Sequence, residues 1–398
     1  MRSSWQCKCT PHQAENPSAN PLALIPDMAP SSHLGPQLVK RRAVRLHIPL
    51  LFPSISKRYS RRQYPALHLS RLSRGTLSHR IAIMKLLVTG AAGYIGQVLS
   101  EALLNAGHSV ILADIVEPLL PLDAKDAQSR ATCVQVDLFE DAESVISQDL
   151  DAIYILHGIM SAGSEVDMDL GYRVNLYSVL KLLEAVRRLC PGVRVIYTSS
   201  IAAYGSPLPD LPSENTVCTP QTSYGTHKVM IEAVLNDYNR RGFITAFAFR
   251  LAGISVRSGK PTQAASSWMS GIIREPLQGL ETTIPCGDDF KCWICSPRTL
   301  VKNLTLALTL PADCMPPHIR QVLLPGITVT VREMLQALRN VGGEEAVKLV
   351  RREEPTADIK AMLDSWPTQF DDSKALQLGF VPDQPFQDTV QDFADSLR

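Results

Sequence analysis

The sequence predicts an α/β fold with a doubly wound parallel sheet, because strand-like and helix-like patterns alternate between residues 85 and 251. The strand-like runs are short and continuously apolar, which is typical of strands buried on both faces. A glycine-rich turn joins the first run to the first helical pattern. Of the 398 residues, 45% are apolar, which is enough for a sizeable core.

The first elements follow from short local patterns. Residues 85–89 (KLLVT) form an apolar run that ends in glycine and predicts a buried strand. Residues 94–106 follow a helical pattern that stops at Gly107, a residue suited to ending a helix. Residues 109–114 (SVILAD) and 131–137 (ATCVQVD) then predict the second and third strands.

The later elements continue the alternation and then lose it. Strands are predicted at residues 152–157 (AIYILH), 193–199 (VRVIYTS) and 244–251 (ITAFAFRL), and helices at 168–189 and 223–241. Beyond residue 254 the pattern is irregular, with helical stretches at 331–340, 358–364 and 386–397. We therefore expect a nucleotide-binding sheet domain at 84–254 and a smaller, mainly C-terminal α/β substrate region at 255–398.

The first 83 residues differ in composition from the rest. They contain thirteen Lys/Arg and two acidic residues, whereas the remaining residues have 27 basic and 37 acidic side chains. This Ser-, Pro- and Arg-rich leader lacks a sustained period, so it is predicted to be disordered, a transit peptide, or sequence upstream of a working start at Met84. The acidic main body argues against a nucleic-acid partner, and no apolar run is long enough for a membrane span. A cytoplasmic location is expected, or a mitochondrial one if the leader is a transit peptide.

The nine cysteines do not predict a disulfide framework or a metal site. Cys292 and Cys295 form a lone CxxC without a second Cys/His pair nearby, so neither zinc nor a redox role is favoured. We expect no bound metal.

The turn after the first strand is typical of a dinucleotide-binding loop. Gly90, Gly93 and Gly96 in TGAAGYIG allow a sharp turn, a close approach of backbone to a pyrophosphate, and tight packing of helix on strand. The helix that starts at Tyr94 and Ile95 offers free N–H groups to phosphate. The alternative is a purely structural strand–turn–helix.

Two aspartates end the following strands. Asp114 lies 24 residues after Gly90, where a carboxylate accepts hydrogen bonds from the adenosine ribose and repels a 2′-phosphate. NAD is therefore the predicted cofactor. Asp137 is a candidate adenine contact, and a solvated carboxylate at a strand end is an equal alternative.

Two Tyr/Lys pairs have the four-residue spacing that places both side chains on one helix face, Tyr177/Lys181 and Tyr224/Lys228. Tyrosine is a poor base at neutral pH, and a nearby ammonium group favours its phenolate form. Tyr224 follows the run Thr-Ser-Ser at residues 198–200, at the carboxyl end of a strand, where ligands bind in open parallel sheets. Tyr177 lacks that setting. Tyr224 and Lys228 are therefore the predicted catalytic pair, and Tyr177 is predicted to be surface packing.

These residues together resemble the extended short-chain dehydrogenase/reductase family, which includes nucleotide-sugar epimerases and dehydratases. The matching features are TGAAGYIG, Asp114, Asp137-Leu138, Asn175, SSIAAYG and SYGTHK. The resemblance implies a Rossmann-type fold, with Tyr224 as proton acceptor, Lys228 on the nicotinamide ribose, and Ser200 as hydroxyl partner, with Ser199 as the fallback. It also adds Asn175 to the catalytic set and Leu138 and Ser161 to the cofactor contacts.

Within this family the chain is most similar to D-erythronate dehydrogenases, which oxidise the 2-hydroxyl of a four-carbon sugar acid. The similarity rests on ILHGIMSAGSEVDMDLGYRVNL, VRSGKPTQAASSWMSGIIREPLQG and WICSPRTLVKNL. Two positions depart from the family pattern. His157 lies where the family has HLAA, and Ser178-Val179 replace a glycine-threonine after Asn175. His157 is predicted to be packed rather than catalytic.

A sugar acid carries a carboxylate, and arginine is suited to binding it through two hydrogen bonds. Arg298 and Arg257 are the candidates, each with a surface ion pair as its alternative. Ser161, Ser266 and Ser267 are available for substrate hydroxyls. Trp268 and Trp293 are predicted to be core residues rather than pocket walls.

The resemblance thus implies NAD-dependent oxidation of a small sugar acid, D-erythronate-like, by hydride transfer with a Tyr/Lys/Ser set. The alternative enzyme is a nucleotide-sugar epimerase or dehydratase that keeps NAD bound. A non-catalytic NAD-sensing protein is a third hypothesis, which the joint presence of serine, tyrosine and lysine disfavours. In this family the two long helices after the fourth and fifth strands commonly pair across dimers, so a homodimer is expected.

Overall fold

The computed structural model describes residues 83–121, 127–260 and 266–398. The predictions for the basic leader fall outside the described residues, apart from Ile83. Within the described ranges, no helix is both long enough and apolar enough to cross a membrane.

The strands form three sheets. In the described ranges they are β1 Lys85–Thr89, β2 Ser109–Asp114, β3 Ala131–Gln135, β4 Ala152–Ile155, β5 Arg194–Ser200, β6 Thr245–Leu251, β7 Gly253–Ile254, β8 Thr282–Ile284, β9 Lys291–Cys295, β10 Gln321–Leu323, β11 Ile327–Thr330 and β12 Val350–Arg352. The central sheet has seven strands in the order β10-β6-β5-β4-β1-β2-β3, and all of its pairings are parallel. The smaller sheets have the orders β11-β9-β7 and β12-β8. The predicted Rossmann-type doubly wound parallel fold is confirmed.

The helices surround these sheets. They are α1 Tyr94–Asn105, α2 Ala127–Arg130, α3 Ser161–Val166, α4 Met168–Tyr172, α5 Ser178–Leu189, α6 Ser223–Arg240, α7 Trp268–Leu277, α8 Pro297–Leu306, α9 Val331–Lys348, α10 Ala357–Asp364, α11 Ser373–Gln377 and α12 Phe386–Asp395. The helix predicted at 168–189 is interrupted, because a π-helical turn at Arg173–Tyr177 separates α4 from α5. Such turns occur frequently at functional sites, and this one contains the buried Asn175.

The core explains why the strands read as continuous apolar runs. One cluster of buried side chains contains residues of β1, β2 and β6 together with α1 and α8, and a second contains other residues of the same strands with α5 and α6. A third cluster joins α7, α9 and α12 to the smaller sheets. The division at residue 254 stays a prediction, and one strand of the central sheet, β10, comes from the later region.

The strand order determines where a ligand can bind. β1 lies between β2 and β4, so the strands that follow β1 in sequence are added first on one side of it and then on the other. In open parallel sheets a crevice forms at this point, beyond the carboxyl ends of the strands. The loops after β1, β2, β4 and β5 all reach that edge.

Cys292 and Cys295 lie on the same strand, β9, three residues apart. Alternation along a strand points their side chains to opposite faces, and the two belong to different core clusters. Burial raises the pKa of both thiols. The geometry therefore agrees with the expectation that this CxxC is packing. Among the described residues, no group of His, Cys, Asp and Glu side chains could hold a metal ion.

Candidate active site

In the glycine loop after β1 the backbone segments approach so closely that a side chain would clash at two of the glycines. Gly90 has φ +70°, and a Cβ there would lie 2.6 Å from the backbone nitrogen of His157. A Cβ on Gly96 would lie 2.2 Å from the Gly90 carbonyl oxygen. Gly93 begins α1 without a side-chain cap, so the amides of the first turn, including those of Tyr94 and Ile95, are not capped by a side chain. This backbone cradle suits the pyrophosphate of NAD.

Asp114 holds the loop from the end of β2. Its Oδ2 accepts a hydrogen bond from the Ala92 N–H at 3.0 Å, and its Oδ1 accepts one from the Val116 N–H at 3.3 Å. Both bonds fix the carboxylate beside the glycine loop. This is the position from which an acidic group contacts an adenosine ribose.

We expect an Asp114→Ala variant to bind NAD about 10- to 100-fold more weakly, because it loses charged hydrogen bonds to the ribose. Its preference for NAD over NADP should also shrink, since the repulsion of the 2′-phosphate is removed. Titration of both cofactors by calorimetry measures the two effects. Asp149→Ala is the control, because Asp149 is an exposed partner of Lys85. An unchanged ratio of the two affinities would refute the role of Asp114.

Asp137 has partners inside the protein. Its Oδ2 pairs with Arg173 at 2.7 Å, and its Oδ1 accepts from the Phe139 N–H at 2.8 Å. Burial alone would raise the pKa of Asp137, but its hydrogen bond with Arg173 and those with backbone amides lower it. Leu138 is 5% exposed and belongs to the core. An adenine contact through Asp137 and Leu138 stays a prediction. Asp137 would make it with carboxylate lone pairs that Arg173 and the Phe139 N–H do not occupy.

The two departures from the family pattern contact each other. His157 Nε2 lies 2.9 Å from Ser178 Oγ, and its Nδ1 lies 2.7 Å from Thr89 Oγ1. Burial lowers the pKa of His157 to about 4, which keeps the ring neutral. His157 is therefore a packed residue that ties β1 and β4 to α5, as its setting predicted.

Asn175 organises the loop after β4. Its Oδ1 accepts from the Ile159 N–H at 2.7 Å, and its Nδ2 donates to the Ile159 carbonyl at 3.0 Å and to Ser164 Oγ at 3.1 Å. Nδ2 also lies 3.3 Å from Nδ1 of His227 on α6. Asn175 thus links this loop, which leads into α3 at Ser161, to the helix that carries Tyr224. These contacts are those of a residue that positions the loop, and the place of Asn175 in the catalytic set stays a prediction.

α6 presents Tyr224 and Lys228 at the carboxyl end of β5. The Thr222 hydroxyl caps the helix by accepting from the Gly225 N–H at 3.1 Å, which places Tyr224 in the first turn. Lys228 is 4% exposed, and its Nζ donates to the Thr198 carbonyl at 2.7 Å. The same Nζ lies 5.2 Å from the centre of the Tyr224 ring.

The pKa of Tyr224 differs from the expectation. Burial raises it to about 12, while a hydrogen bond with Ser200 and the charge of Arg257 act in the opposite direction. Burial also lowers the pKa of Lys228 to about 7, opposed by the charge of Glu232. The predicted lowering by Lys228 is therefore not seen in the protein alone, because burial dominates both groups.

The two adjacent serines have different partners. Ser199 Oγ donates to Glu232 Oε1 at 2.6 Å and is 2% exposed. Ser200 Oγ accepts from the Ala202 N–H at 3.1 Å, and the Ser200 hydroxyl lowers the pKa of Tyr224 against the effect of burial. Ser200 is thus the serine next to Tyr224, whereas the fallback Ser199 is occupied in the interior.

The other Tyr/Lys pair lies on the surface. Tyr177 is 47% exposed. Lys181 Nζ donates to the Phe139 carbonyl at 2.6 Å and lies 3.8 Å from the centre of the Phe139 ring. The pair serves packing of α5, as predicted.

The two substrate arginines are in unlike settings. Arg257 follows β7, and its charge acts on both Tyr224 and Tyr94. Among the described residues its Nε has no hydrogen-bond partner, and burial together with the charge of Arg274 lowers its pKa. Arg298 instead is exposed and pairs with Asp392 at 3.4 Å. Arg298 therefore matches its alternative, a surface ion pair, and only Arg257 lies with Tyr224.

The remaining candidates are near α7 or in the core. Ser266 and Ser267 directly precede α7, and their carbonyls accept the first backbone hydrogen bonds of this helix. Trp268 packs edge-on against Phe290, and Trp293 packs against Phe370. Both tryptophans are less than a tenth exposed, in agreement with core packing.

The sequence interpretation missed a buried ion pair behind the site. Glu232 and Arg250 form two hydrogen bonds of 2.9 and 2.7 Å and are almost completely buried. Arg250 also donates to the Tyr204 hydroxyl at 2.8 Å. One signal was present: an arginine inside the apolar strand ITAFAFRL requires a buried acidic partner.

The fold and the site define a Rossmann-type dinucleotide-binding protein with a Tyr/Lys pair at the carboxyl edge of its sheet. A family model gives the next step: residues 86–290 match the NAD dependent epimerase/dehydratase family. The chain belongs to this family, and NAD is its cofactor.

Individual relatives match over nearly their whole length. D-erythronate dehydrogenase of Haemophilus influenzae is 38% identical over 78% of this chain and 99% of the relative. The enzyme of the same name from Cupriavidus necator is 37% identical over 78% of this chain and 98% of that protein. A solved structure of a nucleoside-diphosphate-sugar epimerase from Agrobacterium tumefaciens is 35% identical, has a TM-score of 0.72, and covers 81% of this chain and 96% of its own.

Proposed function

We propose that this protein is a dehydrogenase that oxidises a hydroxyl of a small sugar acid with NAD, and that D-erythronate is the substrate type. The relatives named D-erythronate dehydrogenase support the reaction class. The observation that carries the proposal is the Arg257 guanidinium, whose charge acts on Tyr224 and whose Nε has no partner among the described residues. A carboxylate bound there would supply the missing counter-charge.

The chemistry assigns one task to each side chain. Bound NAD supplies the hydride acceptor and, in its oxidised form, a positive charge. Tyr224 Oη, ionised with the help of the positive charges of Lys228 and of bound NAD, would accept the proton of the substrate hydroxyl while the hydride leaves the carbon that bears that hydroxyl. Lys228 would hold the nicotinamide ribose and contribute positive charge, and the Ser200 hydroxyl would donate a hydrogen bond to the reacting oxygen. The substrate loses one hydride and one proton and becomes the 2-keto acid.

We expect an Arg257→Met variant to raise KM for the sugar acid about 10- to 100-fold, because a charged hydrogen-bonding partner of the carboxylate is lost. Its affinity for NAD should be unchanged. Steady-state kinetics and a cofactor titration measure the two quantities. Arg298→Met is the matched control, because that arginine is more than half exposed and pairs with Asp392. An equal rise of KM in both variants would contradict the role of Arg257.

The alternative is a nucleotide-sugar epimerase, which the name of the Agrobacterium tumefaciens structure favours. The sugar-acid reading is preferred because two relatives of that name match over almost their full length. A cytoplasmic location and a homodimer are further proposals. Tyr177 and Met230, on the segments that pair across dimers in this family, are 47% and 40% exposed. Sedimentation of the full chain would test the dimer.

A further inference from the structure

The backbone of Arg257 is held at both ends by one face of α7. Its N–H donates to Ser270 Oγ at 3.1 Å, and its carbonyl accepts from Arg274 Nη1 at 3.1 Å. Ser270 and Arg274 are four residues apart and therefore lie on the same face of the helix. They are 0% and 2% exposed.

The two α7 residues are themselves fixed. Ser270 Oγ donates to the Ile254 carbonyl at 3.4 Å, which links it to β7. Arg274 donates through Nε and Nη2 to Glu275 Oε1 at 3.1 and 2.6 Å. Gly271 leaves room for this pair, since a Cβ there would lie 3.3 Å from Glu275 Oε2. The side-chain hydrogen bonds of Arg274 thus go to Glu275 and to the Arg257 peptide.

This arrangement has an electrostatic consequence. The charge of Arg274 is compensated by Glu275, whereas Arg257 forms no ion pair among the described residues. A side chain on a loop loses conformational entropy when it binds a ligand, and this loss weakens binding. Fixing the peptide of Arg257 removes part of that cost, and it does so next to the turn that carries Tyr94, whose hydroxyl donates to the Val256 carbonyl at 3.5 Å.

We propose that Ser270 and Arg274 are positioning residues that set the specificity for a carboxylate-bearing substrate by holding Arg257 in its binding orientation. This inference rests on the proposed function, because it assumes that Arg257 binds the carboxylate. Ser270 and Arg274 are buried, so in this proposal they act on the substrate only through Arg257.

The test is a double-mutant cycle on the full chain with D-erythronate as substrate. Ser270→Ala should raise KM about 5- to 10-fold, as expected for the loss of one hydrogen bond, with NAD affinity and kcat nearly unchanged. In the Arg257→Met background the same substitution should have no further effect on KM. Arg274→Lys should follow the same pattern and keeps the charge next to Glu275. Ser100→Ala is the control, because this buried hydroxyl has no hydrogen-bond partner in the part of the chain that the structure describes.

The outcomes separate the two proposals. If Arg257→Met leaves KM unchanged, the proposed carboxylate contact fails. If Arg257→Met raises KM but Ser270→Ala does not, only the positioning role fails. Equal effects of Ser270→Ala with and without Arg257 would also overturn the positioning role, because they would show a general structural effect.

Discussion

A Tyr224→Phe variant should turn over its substrate about 10²- to 10⁴-fold more slowly than the wild type, the range expected for loss of a general base. The phenyl ring preserves the packing against Lys228, whose Nζ lies 5.2 Å from the ring centre. NAD affinity should therefore be retained. Single-turnover kinetics and a cofactor titration measure both quantities.

Tyr177→Phe is the matched control for this experiment. Tyr177 has the same spacing to a lysine but is 47% exposed on the outside of the fold. Its substitution should leave turnover within about twofold, since exposed positions contribute little. Wild-type turnover in Tyr224→Phe would remove Tyr224 from the mechanism.

A Glu232→Ala variant should lose about 3–5 kcal/mol of unfolding free energy, because the substitution leaves the Arg250 charge buried without its partner. Both side chains are at most 4% exposed, so water cannot replace the lost carboxylate. Ser199 would lose one hydrogen bond to this side chain, and Arg250 would lose two. Urea unfolding followed by circular dichroism measures the effect.

Asp237→Ala provides a control on the same helix. Asp237 pairs with Arg240 and Arg241, and all three side chains are at least 40% exposed. Exposed pairs contribute about 0–1 kcal/mol, so this variant should remain close to wild type. A loss of stability for Glu232→Ala no larger than that of Asp237→Ala would show that the buried pair does not stabilise the fold.

The parts of the fold that depend on local sequence were predictable. The apolar run of β1, the glycines after it and Asp114 lie within a short stretch of the chain, so the sequence pattern alone predicts them. The observed bounds Lys85–Thr89, Ser109–Asp114 and Ser223–Arg240 lie within a residue of the predicted ones. The strands after residue 254 have three to five residues each, and such short runs carry too little periodicity to predict.

The site residues likewise divide into those that local sequence predicts and those that depend on packing between distant elements. The spacing of Tyr224 and Lys228 is a property of one helix, and their place after the serines at the end of β5 was readable in the sequence. The choice between Ser199 and Ser200 depends on Glu232, which approaches from another element. Arg257 and Arg298 were both candidates because a guanidinium suits a carboxylate, and only the packing of α7 and α12 distinguishes their settings. The pKa of Tyr224 likewise depends on burial, which spacing alone cannot predict.

The most direct test mixes the full chain and NAD with D-erythronate, then with other four- and five-carbon aldonates, and in parallel with UDP-glucose, and follows NADH formation. The proposed function predicts net NADH with at least one small aldonate and none with UDP-glucose. Conversion of UDP-glucose to its epimer without net NADH, together with no NADH from any aldonate, would contradict it.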